Sequence, residues 1–398
     1  MQKIGLFELP RWIEHHSQDA SLVLAGSATP ALSIQDLIDL STDSQKTADA
    51  LSVNSLKLSL STPSGSETLR RQIAALYNGI TADQVLATQG TSGANALVFQ
   101  SLLGAGDHVI SMYPAYTQLL SIPKAVPGVE HSFWPLDIKD SMRANVQLLE
   151  SLIRPNTRMI VLNNPNNPLG TILPVALQHE IAELAQSRGI VLLADEIFRP
   201  LFHDASIGCP PSFVELSDSN ENIIVTGSMS KAWGLSGVRT GWIVTRNAEI
   251  LARCVNLSLY TTMALSTIDQ VIATEALSDR CRPKIWSRHL DLARENIAIL
   301  TSFVEKNQRV CSWTRPSAGG TAFLQFSKDG DSVDDVRFCL QLKEQKGILL
   351  APGSLCFGLD AAHDFRGFVR IHLTVQPERM ASALDALGDF LHTYLTDN

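Results

Sequence analysis

The 398-residue sequence has no block of lysine or arginine, and its formal net charge is −8. Nucleic acid and anionic membrane attract the opposite sign, so both are excluded as partners. Cysteine is sparse and scattered: the positions are 209, 254, 281, 311, 339 and 356, with no Cys-x-x-Cys. That spacing excludes a zinc site or disulfide framework and suits reduced thiols in the cytoplasm. No apolar run approaches the roughly 18 residues that span a bilayer. The chain opens with no basic stretch followed by an apolar one, so a leader peptide is not expected. Repeats and low-complexity tails are absent.

What the chain does have is length and apolar content, 45% over 398 residues. Single cores stop growing near ~250–300 residues, so two lobes are expected. Strand-like runs at 85–88, 108–112, 131–134, 159–162, 190–194, 223–226 and 242–244 alternate with helical segments. Such alternation predicts an α/β fold, with a mainly parallel seven-stranded sheet between helices. Ligands in such folds bind beyond the carboxyl ends of the strands. Residues 263–307 read as one long helical stretch. The C-terminal third reads as α+β, with strands near 310–313, 322–326, 348–350 and 368–373 and helices near 333–344 and 377–394. The expected organisation is an N-terminal segment 1–49 packing with the small domain, a large domain 50–285 and a small domain 286–398.

One stretch carries the most chemistry. Residues 223–244 run from one β-branched segment to another, with Ser228, Ser230, Lys231 and Arg239 among small residues between them. A half-buried lysine amine is more readily neutral and can attack a carbonyl. Hydroxyls and a guanidinium fork suit a phosphate dianion. Together they suggest a phosphorylated aldehyde cofactor held as a Schiff base; the alternative is a surface lysine in a Gly/Ser loop.

Other motifs fall just past predicted strand ends. Gly90-Thr91-Ser92-Gly93-Ala94-Asn95 opens a helix, and free N–H groups there make an anion site or simply a tight turn. Tyr116 follows the next strand and offers a ring to stack on a flat cofactor, or a core tyrosine. Residues 163–170 hold four asparagines and two prolines. An ordinary turn would not need that many amides, and one of them can donate to a ring oxygen. Asp195 ends the most apolar strand, where a carboxylate is costly unless paired. Its partner would be a protonated pyridine nitrogen, a helix cap or an ion pair. Arg370 lies in a strand-like run and wants a carboxylate, from substrate or from the protein.

In order and spacing, these motifs resemble the pyridoxal-phosphate enzymes of fold type I, the class I/II aminotransferase family. The resemblance spans nearly the whole chain and adds Ala351-Pro352-Gly353. It implies pyridoxal 5'-phosphate as cofactor, with Lys231 forming the Schiff base and moving a proton between Cα and C4′. By the same resemblance, Asp195 holds the pyridinium proton, Asn167 bonds the ring oxygen and Tyr116 stacks on the ring. Thr91, Ser92, Gly93, Ser228, Ser230 and Arg239 surround the phosphate, and Arg370 clamps the substrate carboxylate. It also implies a homodimer with active sites at the subunit interface.

Two positions depart from the pattern. The family usually has a tyrosine where this chain has Phe198, and another where it has Leu60. A hydrogen bond to a charged group contributes about 1.5–3 kcal/mol, so losing the phenol at 198 should alter the cofactor's acidity. These losses suggest a specialised enzyme, and the opening Phe7–Trp12 is similar to the capreomycidine synthase-like branch. The sequence therefore carries two enzymatic readings. The first is an aminotransferase using an amino acid and a keto acid. The second is an elimination–cyclisation enzyme acting on a hydroxylated arginine-like amino acid. Glu8, in the N-terminal segment, would hold a guanidinium in the second reading or belong to a solvated helix face. Gly26 is the other expected substrate contact. A non-catalytic cofactor-binding regulator is the third reading, but the chain has no spare length or basic patch for DNA binding.

Overall fold

A computed structural model describes residues 4–217, 219–359 and 364–396. Strand β1 (Leu22–Val23) lies in the N-terminal segment. The large lobe carries β2 (Val85–Gln89), β3 (His108–Tyr113), β4 (Glu130–Pro135), β5 (Thr157–Asn163), β6 (Val191–Asp195), β7 (Ile223–Ser228) and β8 (Thr240–Thr245). They form one sheet in the order β2-β8-β7-β6-β5-β3-β4. Only β8 runs antiparallel to its neighbours. The fold is thus α/β with a mainly parallel seven-stranded sheet, as expected.

β3, β6, β7 and β8 are buried along their whole length. That is why they read in sequence as continuous apolar runs with little alternation. The crossovers between parallel strands place helices on the faces and leave the carboxyl ends open, so Asn163 and Asp195, paired in register across β5 and β6, end side by side.

The smaller lobe is built on β9 (Cys311–Trp313), β10 (Thr321–Lys328), β11 (Asp331–Ser332), β12 (Ile348–Leu349), β13 (Ala351–Pro352) and β14 (Phe368–His372). The helices Asp335–Lys346 and Pro377–Thr396 belong to it. β10 and β14 pair antiparallel at its centre, with Phe323 opposite Arg370. The N-terminal segment joins this lobe through β1, which pairs parallel with β12, Leu22 opposite Ile348.

The long helical pattern over 263–307 resolves into two helices, Thr267–Ala276 and Arg282–Lys306. Between them Ser278 N and Cys281 N bond the carbonyls of Glu275 and Ser278 in tight turns. Pro283 then starts the second helix, in the first turn where proline is tolerated. That second helix runs unbroken through position 285, where the large domain was expected to end.

Candidate active site

A cavity of about 230 Å³ opens beyond the carboxyl ends of β5, β6 and β7, lined by Thr91, Ser92, Tyr116, Asn167, Asp195, Phe198, Ser230, Lys231 and Arg239. Nine sequence-selected residues therefore meet there. Ser27, Asn163, Ile197 and Ser236 complete the wall and were not foreseen.

Asp195 is the last residue of β6 and is buried. Burial pushes its carboxyl up to about 6, although Asn95 Nδ2 donates to Oδ2 at 2.9 Å and Ile197 N to Oδ1 at 3.1 Å. Asn95 is oriented in turn by Thr226, whose hydroxyl donates to its Oδ1 at 2.8 Å. The neighbouring Glu196 is structural: its carboxylate accepts from Ser212 Oγ at 2.7 Å and Phe213 N at 2.9 Å. Two adjacent carboxylates thus part company, and only Asp195 faces the cavity.

Lys231 lies across the cavity from that carboxylate. Burial lowers its amine to about 7, assisted by the positive charges of Arg370 and Arg239 and opposed by Asp195. Its Nζ donates to Ser27 Oγ at 2.9 Å and stands 5.9 Å from the centre of the Phe198 ring.

Of the four asparagines in the 163–170 turn, three bond backbone in the turn or in the segments packed beside it, which corrects the expectation that so many amides would not be structural. Asn163 Oδ1 accepts from Asn167 N at 2.9 Å, and Asn164 Oδ1 from Leu173 N at 2.8 Å. Asn166 donates to Pro114 O at 2.9 Å. Asn167 lines the cavity together with Asn163, and its Oδ1 accepts from Arg370 Nη1 at 3.0 Å. Arg370 is buried; its Nη2 donates to the carbonyls of Ala25 and Gly26, and its Nε has no partner. Burial lowers its guanidinium to about 10.

The anion side of the cavity is built by close backbone approach. Gly90 has φ +69°, and a Cβ there would sit 2.7 Å from Arg239 Nη2. Arg239 takes a left-handed φ of 49°, with Nη1 on Ser236 O at 2.9 Å. Thr91 Oγ1 is buried without a partner. An orphaned hydroxyl, a guanidinium and a side-chain-free turn at a helix start fit a phosphate group. A ring reaching from there to Lys231 would have Asp195 and Asn167 at its edge.

Some expected contacts fall elsewhere. Ser228 is buried, with its Oγ accepting from Ser230 N at 3.2 Å, and does not line the cavity. Gly93 lies inside the helix Gly90–Leu102, off the wall. Tyr116 does line the cavity; it precedes the helix Thr117–Ala125, with its ring 5.3 Å from that of Phe7. Glu8 begins the helix Glu8–His16 half-buried. Asn95, the last residue of the Gly90–Asn95 motif, and Thr226, in β7, bond Asp195 directly and through Asn95, respectively, and neither was given a role by sequence.

Comparison with known proteins agrees with this geometry. The family model described as Aminotransferase class I and II matches residues 35–387. Capreomycidine synthase of Streptomyces vinaceus is 29% identical over 73% of this chain and 71% of its own. Aspartate aminotransferase of Thermotoga maritima is 26% identical over 82% and 81%. The crystal structure of a PLP-dependent aminotransferase from Streptococcus suis covers 100% of both chains at 31% identity, with a TM-score of 0.89. The chain belongs to the class I and II aminotransferase family, and it is an enzyme dependent on pyridoxal 5'-phosphate.

Proposed function

We propose that the enzyme is an aminotransferase that moves the α-amino group of a free amino acid to a keto acid. The observation that carries this reading is a depressed lysine amine and a strand-end carboxylate lining one cavity, with the buried Arg370 bonded to Asn167 of its wall. When bound, the cofactor's protonated ring draws electrons from the amino acid's Cα. Asp195 keeps that ring nitrogen protonated, and Asn95 and Thr226 keep Asp195 oriented. Asn167 has its carbonyl oxygen on Arg370, which leaves its Nδ2 to donate to the ring oxygen. Tyr116 and Phe198 bound the ring space. Thr91, Ser92, Gly93, Ser228, Ser230 and Arg239 hold the phosphate directly or through the turn. Arg370 and the backbone at Gly26 receive the substrate carboxylate, and Lys231, once neutral, carries the proton between Cα and C4′.

The same proposal includes a homodimer and a cytoplasmic location. Leu58 and Leu60 are 73% exposed and Tyr260 82%, an apolar face of the kind that a partner covers. Thr267 Oγ1 bonds Ser59 O at 2.9 Å and ties the two segments of that face together. All six cysteines are free, and five are buried. No described helix is long and apolar enough to cross a membrane.

A second reading, elimination followed by cyclisation, draws on the likeness to capreomycidine synthase of Streptomyces vinaceus and on Glu8, half-buried at the start of its helix. A carboxylate there suits a guanidino side chain. One turnover with a single equivalent of amino acid separates the two. Release of a keto acid, with the amino group retained on the protein-bound cofactor, is the expected result. An amino-acid product that keeps its nitrogen and has lost a leaving group would replace the first reading with the second.

Phe198→Tyr should restore a second donor at the ring oxygen. The pH midpoint of the bound cofactor's absorbance is expected to fall by roughly one unit, since one unit corresponds to 1.36 kcal/mol. An unmoved midpoint would mean that another group already supplies that bond.

A further inference from the structure

We propose that Ser27 is a further catalytic residue: its hydroxyl holds the reactive amine of Lys231 and sets where the lone pair of that amine points. The proposal rests on Lys231 being the reacting amine, and not on which reaction the enzyme completes.

Ser27 lies 204 positions before Lys231, yet its Oγ is 2.9 Å from Nζ. It is the hydrogen-bond partner of Nζ among the described residues, because the other neighbour is the apolar face of Phe198. A neutral primary amine has two N–H bonds and one lone pair. Donating one N–H to Ser27 fixes one corner of that pyramid and turns the lone pair off the loop, into the cavity. A serine suits this task better than an acid. A carboxylate would hold the ammonium form and quench the nucleophile, whereas a hydroxyl accepts without adding charge.

The loop that carries Ser27 is fixed on every side. Leu24 N donates to Leu349 O at 2.8 Å, and His372 N to Leu24 O at 3.0 Å. Arg370 Nη2 donates to the carbonyls of Ala25 and Gly26. Thr29 Oγ1 donates to the backbone carbonyl of Lys231 itself. The segment therefore grips the lysine at both ends, carbonyl and amine. It is anchored to the arginine at the same time, so the hydroxyl keeps its place whether or not the amine is engaged.

The test uses apoprotein as well as loaded enzyme. Lys231 is trapped with a simple aldehyde and borohydride across pH, and the rate is read by mass spectrometry of the Lys231 peptide. Wild-type protein should show a midpoint near 7. In Ser27→Ala the loss of an acceptor disfavours the ammonium further, so the midpoint should drop by about one pH unit. Ser27→Thr, which keeps the hydroxyl, should retain the wild-type midpoint. In loaded enzyme Ser27→Ala should lose about tenfold in kcat with KM little changed, and Ser27→Thr should recover most of it. An unmoved midpoint in Ser27→Ala, or the same shift in both variants, overturns the proposal. Failure of the aminotransferase reading would appear instead in the identity of the product, and would leave the apoprotein midpoint where it is.

Discussion

Lys231→Ala is expected to end turnover, with kcat falling by ~10⁴-fold, because on the proposed roles both attachment of the cofactor and the proton relay depend on one amine. After borohydride treatment the wild-type Lys231 peptide should carry the mass of the cofactor, and the variant should carry none. The pH dependence has a definite sign. Attack needs the neutral amine, and burial beside Arg370 and Arg239 places its titration at about 7. Attachment to wild-type apoprotein should therefore quicken as pH rises through 7 and level off above it, far below the range of an exposed lysine. Full activity in Lys231→Ala would remove the foundation of the site.

Asp195→Ala is expected to be the next largest loss, on the order of 10²–10³-fold in kcat, the scale for removing a preorganised partner of developing charge. Cofactor affinity should weaken with it. The adjacent Glu196 is the internal control. Its carboxylate holds Ser212 and Phe213 and does not line the cavity, so Glu196→Gln should lower stability by about 1–3 kcal/mol and leave kcat within a few-fold. Thermal melts beside steady-state rates separate the two effects. Equal kinetic losses at 195 and 196 would mean that the assignment along the chain is wrong.

The strands of the large lobe were legible because buried parallel strands leave a strong mark: runs such as Ile223–Ser228 are buried on both faces and open on three β-branched apolar residues. The residues just past their ends were legible for the same reason, since the strand end locates the ligand. The 277–281 break was not, because no glycine or proline marks it and the turn between the helices is closed by backbone carbonyls. Within the site, what the sequence hides is long-range partnership. Asn95 meets Asp195 across 100 positions and Thr226 across 131, and Ser27 meets Lys231 across 204. No spacing rule reaches that far. The four asparagines of the 163–170 turn mislead in the opposite direction: abundance suggested chemistry, but three of them bond backbone in or beside the turn.

The pairing of β1 with β12 bears on how the enzyme is made. Leu22 waits for Ile348 and Leu24 for Leu349, so the loop that carries Ser27 has no seat until nearly the whole chain has left the ribosome. Arg370, which fixes the same loop, emerges later still. Every strand of the large sheet, with Asp195, Lys231 and Arg239, precedes residue 348. A chain halted there would lack the seat for Ser27 and the proposed carboxylate clamp, Arg370. Vectorial synthesis thus assembles the cofactor's cradle first and makes the amine's surroundings the last feature to close.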